Sequence, residues 1–267
     1  MCLLVVPRIG HNLPKASNLI DGRIAGGSKA AKGQYPHQVS MQMKNTNNYN
    51  FCSGAIISPN WILTAAQCMD GIPSYENLVI TAGINKLRGK EDTEQTVGVE
   101  KAIVHEKYKE ELAAYDIALL KLSKPLTLSK YVAMINLSEA GAESKGTVVL
   151  SGWGSTSSSD DAIMPNDLQK ADLAVIDFQT CKKALEKSDS ASFFDERMVC
   201  TVPLTGGVSS CDGDSGGPLI DTNAINETEI VGLVSWGVLP CGLLNAPSVY
   251  TKVSSYIDWI QEKVAVN

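Results

Sequence analysis

The sequence has no surplus of positive charge and no long apolar segment. Its 267 residues include 23 basic and 29 acidic side chains, which gives a net charge of −6. An acidic chain does not neutralise phosphates or an anionic bilayer over a broad surface. Apolar runs such as residues 3–6 are far shorter than the roughly 20 residues that cross a bilayer. We therefore expect no nucleic-acid partner and no membrane partner.

Residues that bind metals are also scarce. The chain has three histidines and seven cysteines, and no two cysteines form a C-x-x-C pair. These spacings give no basis for a zinc site, so we predict no metal and no cofactor. Cys2 stands apart, which leaves six cysteines for three disulfides in an oxidising compartment. The cysteines favour a secreted, extracellular protein.

The first 23 residues differ in composition from the rest. Residues 1–6 are apolar, but they are fewer than the roughly 7–15 residues of a signal-peptide core and lack a basic leader. Residues 7–21 are mainly polar and contain two prolines, and RIAGG follows at 23–27. We predict a truncated signal or pro-segment at 1–23 and a folded domain at 24–267.

Short β-prone runs between turn signals recur after Gly27, for example at 38–43, 78–80, 146–150 and 229–234. Strands this frequent, with few helical stretches between them, favour an all-β sandwich or barrel. Residues 155–161 are polar throughout and predict an exposed loop. Apolar residues recur at helical spacing from 256 to 264 behind Ser254, which predicts a packed C-terminal helix with a serine N-cap.

The string SCDGDSGGP at 210–218 carries the most chemical information. Its glycines allow a tight turn whose backbone comes close to a ligand. Ser215 is then presented between N–H donors, as a serine nucleophile requires. A glycine-serine turn is usually only a turn, but the whole string resembles the nucleophile loop of the trypsin-like serine peptidases of the chymotrypsin family.

Other segments resemble the same family in the expected order. RIAGG at 23–27 resembles the activation site, WILTAAQC at 61–68 the histidine loop and DIALL at 116–120 the aspartate segment, and SGWG, VSWG and PSVYTKV follow at 151–154, 234–237 and 247–253. The resemblance implies two antiparallel β-barrels with a cleft between them and a C-terminal α-helix. It places the N-terminal barrel at about 24–135 and the C-terminal barrel with its helix at about 136–267.

One member of the catalytic triad is missing. The resemblance places the nucleophile at Ser215 and the orienting acid at Asp116, but Gln67 stands where the family has its histidine base. An amide cannot take up and return a proton near neutral pH, because it has no pKa in that range. We expect Gln67 to keep the geometry by donating hydrogen bonds to Asp116 and Ser215. This substitution predicts a catalytically inactive homologue, not an enzyme.

The three histidines do not supply a replacement. His11 lies in the first segment, His37 precedes an early strand, and His105 lies at the end of a strand ahead of Asp116. None lies where the resemblance places the cleft, so we expect ordinary surface or turn positions for them.

The binding half of the site is predicted to persist. The resemblance assigns the oxyanion hole to the N–H groups of Gly213 and Ser215. It also makes residues 235–237 the strand that pairs with the substrate backbone, with Ser235 in contact with Asp116. The alternative for Trp236 is that it has no role in binding and is an aromatic side chain packed in the core.

The specificity pocket departs from that of trypsins. The resemblance assigns it to Ser209, Ser235, Trp236, Gly237 and Ser248. Ser209 lies at its base, where trypsins that cleave after lysine or arginine have an aspartate, so no charge awaits a basic side chain. Ser248 replaces a wall glycine and is expected to narrow the entrance. The changed pocket and the missing base together favour a protein that binds without cleaving.

A zymogen switch is also implied by the resemblance. Cleavage after Arg23 would free the amino group of Ile24, which pairs with the buried carboxylate of Asp214. The alternative is that these residues persist as inherited packing. The resemblance further pairs the six cysteines as Cys52 with Cys68, Cys181 with Cys200, and Cys211 with Cys241.

Two other surface features bear on modification and metal binding. Ile84 stands where a calcium-binding trypsin has its first carboxylate, so calcium is not expected. The N-x-S/T sequences at Asn136 and Asn226 are candidate glycosylation sites.

Two further segments, IVHEKY at 103–108 and VSSYIDWI at 253–260, look like those of mite digestive trypsins known as group 3 allergens. With Gln67, the chain is similar to the scabies mite inactivated protease paralogues. That resemblance implies a protein of the mite gut lumen that binds host complement or other serum proteins. We expect a monomer. The alternatives are a weak serine endopeptidase of non-tryptic specificity that borrows a substrate histidine, and a decoy that captures peptidase inhibitors or intact substrates through the cleft.

Overall fold

A computed structural model describes residues 27–44, 46, 49–72, 74–109, 113–157, 163–202, 207–222 and 227–267. The predictions for residues 1–23, Ile24, residues 158–161 and Asn226 lie outside the described residues. Strands predominate in the described ranges, and they form two barrels with one helix at the end of the chain.

The first barrel is built from six strands. These are β2 (Gln38–Met43), β3 (Asn50–Ser58), β4 (Trp61–Thr64), β5 (Leu78–Ala82), β6 (Gln95–Val104) and β7 (Ala118–Leu122), after a short β1 (Ser28–Lys29) that lies outside it. They pair antiparallel and close in the order β2-β3-β4-β7-β6-β5. Val39 and Met41 point inward from β2, and Leu78 and Ile80 from β5, because side chains two apart share a face of a strand.

The second barrel also has six strands. These are β9 (Thr147–Gly152), β10 (Gln169–Ile176), β11 (Met198–Val202), β12 (Pro218–Thr222), β13 (Thr228–Gly237) and β14 (Ser248–Lys252). The order β9-β10-β11-β14-β13-β12 closes because β12 pairs with β9. β1 adds to β10, and β8 (Asn136–Leu137) runs parallel to β13. The predicted all-β fold of two antiparallel barrels is confirmed.

The described α-helices are α1 (Phe178–Glu186) and α2 (Ile257–Val266), beside short 3-10 turns. The predicted C-terminal helix is confirmed, and its Ile257 and Ile260 are buried. Its predicted serine cap is wrong: Tyr256 precedes the helix without a side-chain cap, and Ser254 Oγ donates instead to the carbonyl of Ala142 at 2.7 Å. Neither described helix is long and apolar enough to span a bilayer.

The segment predicted as an exposed polar loop is buried over its first three residues. Ser155, Thr156 and Ser157 are 1%, 8% and 9% exposed. Ser155 Oγ accepts hydrogen bonds from the N–H groups of Ser157 and Ile163, and its own N–H donates to the Asp212 carbonyl. The exposed-loop prediction is therefore wrong for these residues, since satisfied hydroxyl groups allow a polar segment to be buried.

Three disulfides connect the cysteines in the pairs that the resemblance implies. Cys52–Cys68 lies in the first barrel, and Cys181–Cys200 ties α1 to β11. Cys211–Cys241 joins the serine turn to the wall of the pocket beside it. Each bond restrains the unfolded chain, and the last one also fixes the shape of the cleft.

Candidate active site

The candidate site lies at the seam between the barrels. Gln67 follows β4 and Asp116 precedes β7 in the first barrel, whereas Ser215 precedes β12 in the second. Hydrogen bonds cross the seam beside these residues: the Ser53 N–H donates to the Ser215 carbonyl, and Thr251 Oγ1 donates to the Asp116 carbonyl, both at 2.8 Å. The backbone of the site is therefore set by the joining of the barrels.

The Asp116 carboxylate is buried and fully engaged. It accepts hydrogen bonds from the Gln67 backbone N–H at 2.9 Å, from Gln67 Nε2 at 2.7 Å and from Ser235 Oγ at 2.6 Å. Burial raises the pKa of Asp116, and these hydrogen bonds act against the rise. The contact with Ser235 is the one that the resemblance implies.

The side chain of Gln67 connects Asp116 to Ser235 by hydrogen bonds. Its side-chain amide donates one hydrogen bond to Asp116 Oδ2 and a second to the Ser235 carbonyl. The second hydrogen bond was expected to go to Ser215, but its acceptor is the carbonyl of Ser235 in β13. An amide nitrogen has only two hydrogens, so none is left for the serine. In the described part of the chain, Ser215 Oγ has no hydrogen-bond partner.

Glycine is required in the turn that carries Ser215. Gly216 has φ of +74°, and a Cβ built there would lie 2.1 Å from Thr64 Oγ1 and 2.6 Å from the Ser53 carbonyl oxygen. Gly213 has φ of +94°. In the described ranges, the N–H groups of Gly213 and Ser215 donate to no protein acceptor. Both remain available to a substrate carbonyl, as an oxyanion hole requires.

Two side chains that support this turn were missed by sequence reasoning. Asn50 is 1% exposed, and its Nδ2 donates to the Gly213 carbonyl at 2.8 Å while its Oδ1 accepts from Ser40 Oγ. Met164 contacts Gly213, because a Cβ built on that glycine would lie 2.7 Å from Met164 Cε. A lone asparagine and a lone methionine give no signal in the sequence.

Asp214 occupies a buried niche lined by backbone. Its carboxylate accepts hydrogen bonds from the N–H groups of Gly154 at 2.8 Å and Cys211 at 3.1 Å. A Cβ on Gly154 would lie 2.3 Å from that carboxylate, so the niche depends on glycine. Burial raises the pKa of Asp214 to about 7. Its predicted partner Ile24 lies outside the described residues.

The pocket predicted to set specificity is narrow, with a cavity volume of about 20 Å³. Its lining includes the five predicted residues Ser209, Ser235, Trp236, Gly237 and Ser248. Ser209 Oγ is buried without a partner in the described chain, and Ser248 Oγ accepts from the Ser210 N–H at 3.0 Å. No carboxylate lines the cavity among the described residues. The pocket thus offers hydroxyl groups and apolar surface to a bound side chain.

The two described histidines lie away from the serine and are more buried than expected. His37 is 5% exposed, and burial without a charged partner lowers its pKa to about 4. His105 packs against Tyr115 and Trp259, and burial lowers its pKa as well. His37 lies in a turn, as expected, but it is buried and not on the surface. Neither ring hydrogen-bonds to Ser215.

The loop that binds calcium in some trypsins is held here by an internal ion pair. Glu91 Oε1 accepts from the N–H groups of Asn85 and Lys86, and Glu91 Oε2 lies 3.0 Å from Lys32 Nζ. No group of three metal-ligating side chains occurs among the described residues. Asn136, a candidate glycosylation site, is exposed in β8.

A serine presented between unengaged N–H groups, at the seam of two six-stranded barrels, defines the class of the two-barrel serine peptidases. The trypsin family model matches residues 24–260, and the chain belongs to the trypsin family. It is similar to Trypsin-1 of Astacus astacus, 38% identical over 242 residues (89% of this chain, 98% of that protein). It is also similar to Trypsin of Simulium vittatum, 38% identical over 247 residues (91% and 92%). Trypsin I-P1 of Gallus gallus is 34% identical over 247 residues (92% and 91%).

These relatives correct one prediction from the sequence. Proteins that are 34–38% identical over most of the chain are named trypsins, so the prediction of a non-enzyme is wrong. That prediction gave decisive weight to Gln67. Losing the base slows proton transfer, but a nucleophile with its oxyanion donors keeps part of the rate enhancement.

Proposed function

We propose that this protein is an extracellular serine endopeptidase of non-tryptic specificity, in which a histidine of the substrate assists proton transfer. Three disulfides support the extracellular assignment, because such bonds persist in oxidising compartments. The observation that carries the catalytic part is the use of both Gln67 amide hydrogens by Asp116 and Ser235.

A serine hydroxyl needs a proton acceptor within about 2.6–3.2 Å before it attacks a carbonyl. The described residues offer no imidazole or free carboxylate there, because Asp116 is already engaged by Gln67 and Ser235. A peptide bound along β13 brings its own side chains next to Ser215. A histidine close to the scissile bond supplies an acceptor whose pKa lies near neutrality.

The pocket favours small uncharged side chains. Ser209 and Ser248 place hydroxyl groups where a trypsin-like site for lysine or arginine needs a carboxylate and space. Binding a cation there would leave a buried charge without a partner. Leu239 lines the pocket, is partly exposed and adds apolar surface. We infer cleavage after alanine, serine or similar residues.

A peptide panel tests this function. Protein cleaved after Arg23 is incubated with matched peptides that differ only in a histidine next to the scissile bond. We expect cleavage of the histidine peptides alone, with a rate that rises as that imidazole loses its proton. Ser215→Ala is the control and removes the activity. Equal cleavage of peptides without histidine would contradict the proposal.

The mite resemblance extends the proposal to a location and a class of partner: a monomer of the gut lumen that engages host complement or other serum proteins. Its support is the pair of segments at 103–108 and 253–260 together with Gln67. A complement-dependent haemolysis assay tests it, with dose-dependent protection expected. Haemolysis unchanged by the protein would remove this part of the proposal.

A further inference from the structure

A basic groove lies on this acidic protein, apart from the cleft. It is lined by the segment from Lys29 to Lys32, by residues 85, 86 and 88–91 and by Asp167, and it has a volume of about 700 Å³. Five cations line it: Lys29, Lys32, Lys86, Arg88 and Lys90. The groove shares no lining residue with the specificity pocket. A ligand here would leave the pocket free.

The groove keeps a net positive charge after its internal ion pairs are counted. Its two acids are both used: Asp167 lies 2.8 Å from Lys29 Nζ, and Glu91 lies 3.0 Å from Lys32 Nζ. The other three cations, Lys86, Arg88 and Lys90, are exposed and form no ion pair with any described residue. Three unpaired cations in one concavity attract anions locally, whatever the net charge of the chain.

The loop that carries these cations is fixed by its backbone. The N–H groups of residues 85 and 86 donate to Glu91 Oε1, those of residues 87 and 88 donate to the carbonyl and Oδ1 of Asn166, and the side chain of Leu87 is buried. Four successive N–H groups are therefore unavailable to a ligand. In the described chain, the donors left free in this loop are the side-chain cations and the N–H groups of Gly89 and Lys90.

The donors and apolar residues of the groove distinguish two kinds of anionic ligand, an acidic peptide and an anionic polysaccharide. An acidic peptide is recognised in part by backbone hydrogen bonds and apolar anchors. Among residues 85–90 of the groove only the N–H groups of Gly89 and Lys90 are free, and the apolar lining is limited to Ala30 and Ala31. A chain with dense, repeated anionic groups needs only charge and hydrogen-bond donors from side chains. We propose that this groove binds a sulfated polysaccharide.

Binding of a heparin decasaccharide at several NaCl concentrations tests the proposal. The test variant carries Lys86→Gln, Arg88→Gln and Lys90→Gln. The matched control carries Lys124→Gln, Lys145→Gln and Lys182→Gln, which are exposed and remove the same charge elsewhere. We expect the Kd of the test variant to rise about tenfold or more, and the slope of log Kd against log [NaCl] to fall by about 2, because three contacts are lost. The control should bind as the unmodified protein does.

Other results overturn the proposal. No binding of heparin by the unmodified protein at about 0.15 M salt would end it. Equal losses of heparin affinity in the two variants would show that heparin is attracted by the surface charge in general and not bound at this groove. A polyglutamate peptide or an oligonucleotide of matched charge that competes as well as heparin would assign the groove to another polyanion. Labelling of Ser215 by a fluorophosphonate should continue with heparin bound, so failure here is distinct from failure of the proposed peptidase function.

Discussion

Replacing Gln67 by histidine is the most direct perturbation of the active site. The acid that would orient the new imidazole is already placed, since Asp116 accepts from Ser235 Oγ at 2.6 Å and from the backbone N–H of residue 67 at 2.9 Å. The hydroxyl of Ser215 has no competing partner in the described chain. We therefore expect the imidazole to donate to Asp116 and to accept the serine proton without rearrangement of the barrels.

The expected gain follows from the role of a general base. Such a group contributes about 10²–10⁴ in rate, which corresponds to roughly 3–5 kcal/mol of activation free energy. The variant loses the hydrogen bond from the Gln67 amide to the Ser235 carbonyl. Leaving that carbonyl with one partner fewer should lower the free energy of unfolding by about 1 kcal/mol.

Two assays on protein cleaved after Arg23 measure the gain in activity of Gln67→His. Fluorophosphonate labelling reports the reactivity of Ser215, and hydrolysis of a histidine-free peptide reports turnover. Both should rise in Gln67→His, with a new dependence on a group of pKa near 7, while Gln67→Asn stays at the original level. A folded Gln67→His protein with no gain in labelling would refute the reasoning, because Ser215 would then be inaccessible or the oxyanion donors misplaced.

Three further predictions concern the surroundings of the site. Because burial raises the pKa of Asp214 from 3.8 to about 7, its carboxyl keeps its proton in the folded chain over a pH range in which the unfolded chain has lost it. The free energy of unfolding should therefore fall by up to about 4 kcal/mol as the pH rises between these values, and urea unfolding of Asp214→Asn should lack that slope. A double alanine variant that lacks the Cys211–Cys241 disulfide should have a free energy of unfolding lower by about 3–4 kcal/mol, because the bond closes a loop of 30 residues in the unfolded chain. An unchanged denaturation midpoint would show that the bond does not restrain the unfolded state. Ser209→Asp combined with Ser248→Gly should bind benzamidine at least about tenfold more tightly than the unmodified protein does, because the cation gains a carboxylate partner and space in the pocket. A calorimetric titration measures the two affinities. Equal affinities would mean that other residues close the pocket.

The general architecture could be read from the sequence, whereas several local contacts could not. Recurrent short strands and an ordered series of motifs predict the two barrels, and apolar spacing predicts the final helix. The cap of that helix was mispredicted because Ser254 is drawn to the Ala142 carbonyl, a partner distant in sequence. The burial of Ser155 was mispredicted because composition does not show that backbone N–H groups satisfy its hydroxyl.

The same limit applies inside the candidate site. The resemblance predicts that Gln67 stands at the position of the base, but the partner of its second amide hydrogen depends on the path of β13. The burial of His37 likewise depends on the packing of distant strands. Asn50 supports the serine turn through one long-range hydrogen bond, which no local pattern encodes. Long-range geometry of this kind comes only from the folded chain.

The hydrogen bonds across the seam have a consequence for how this sequence can evolve. Asp116 joins the barrels through its carbonyl, which accepts from Thr251, and through its carboxylate, which accepts from Ser235. Selection for folding alone would therefore retain it. Position 67 is less constrained, because any side chain that donates to Asp116 meets the same structural need. The presence of Asp116 is therefore no evidence of catalysis by itself, whereas the residue at position 67 bears directly on the chemistry.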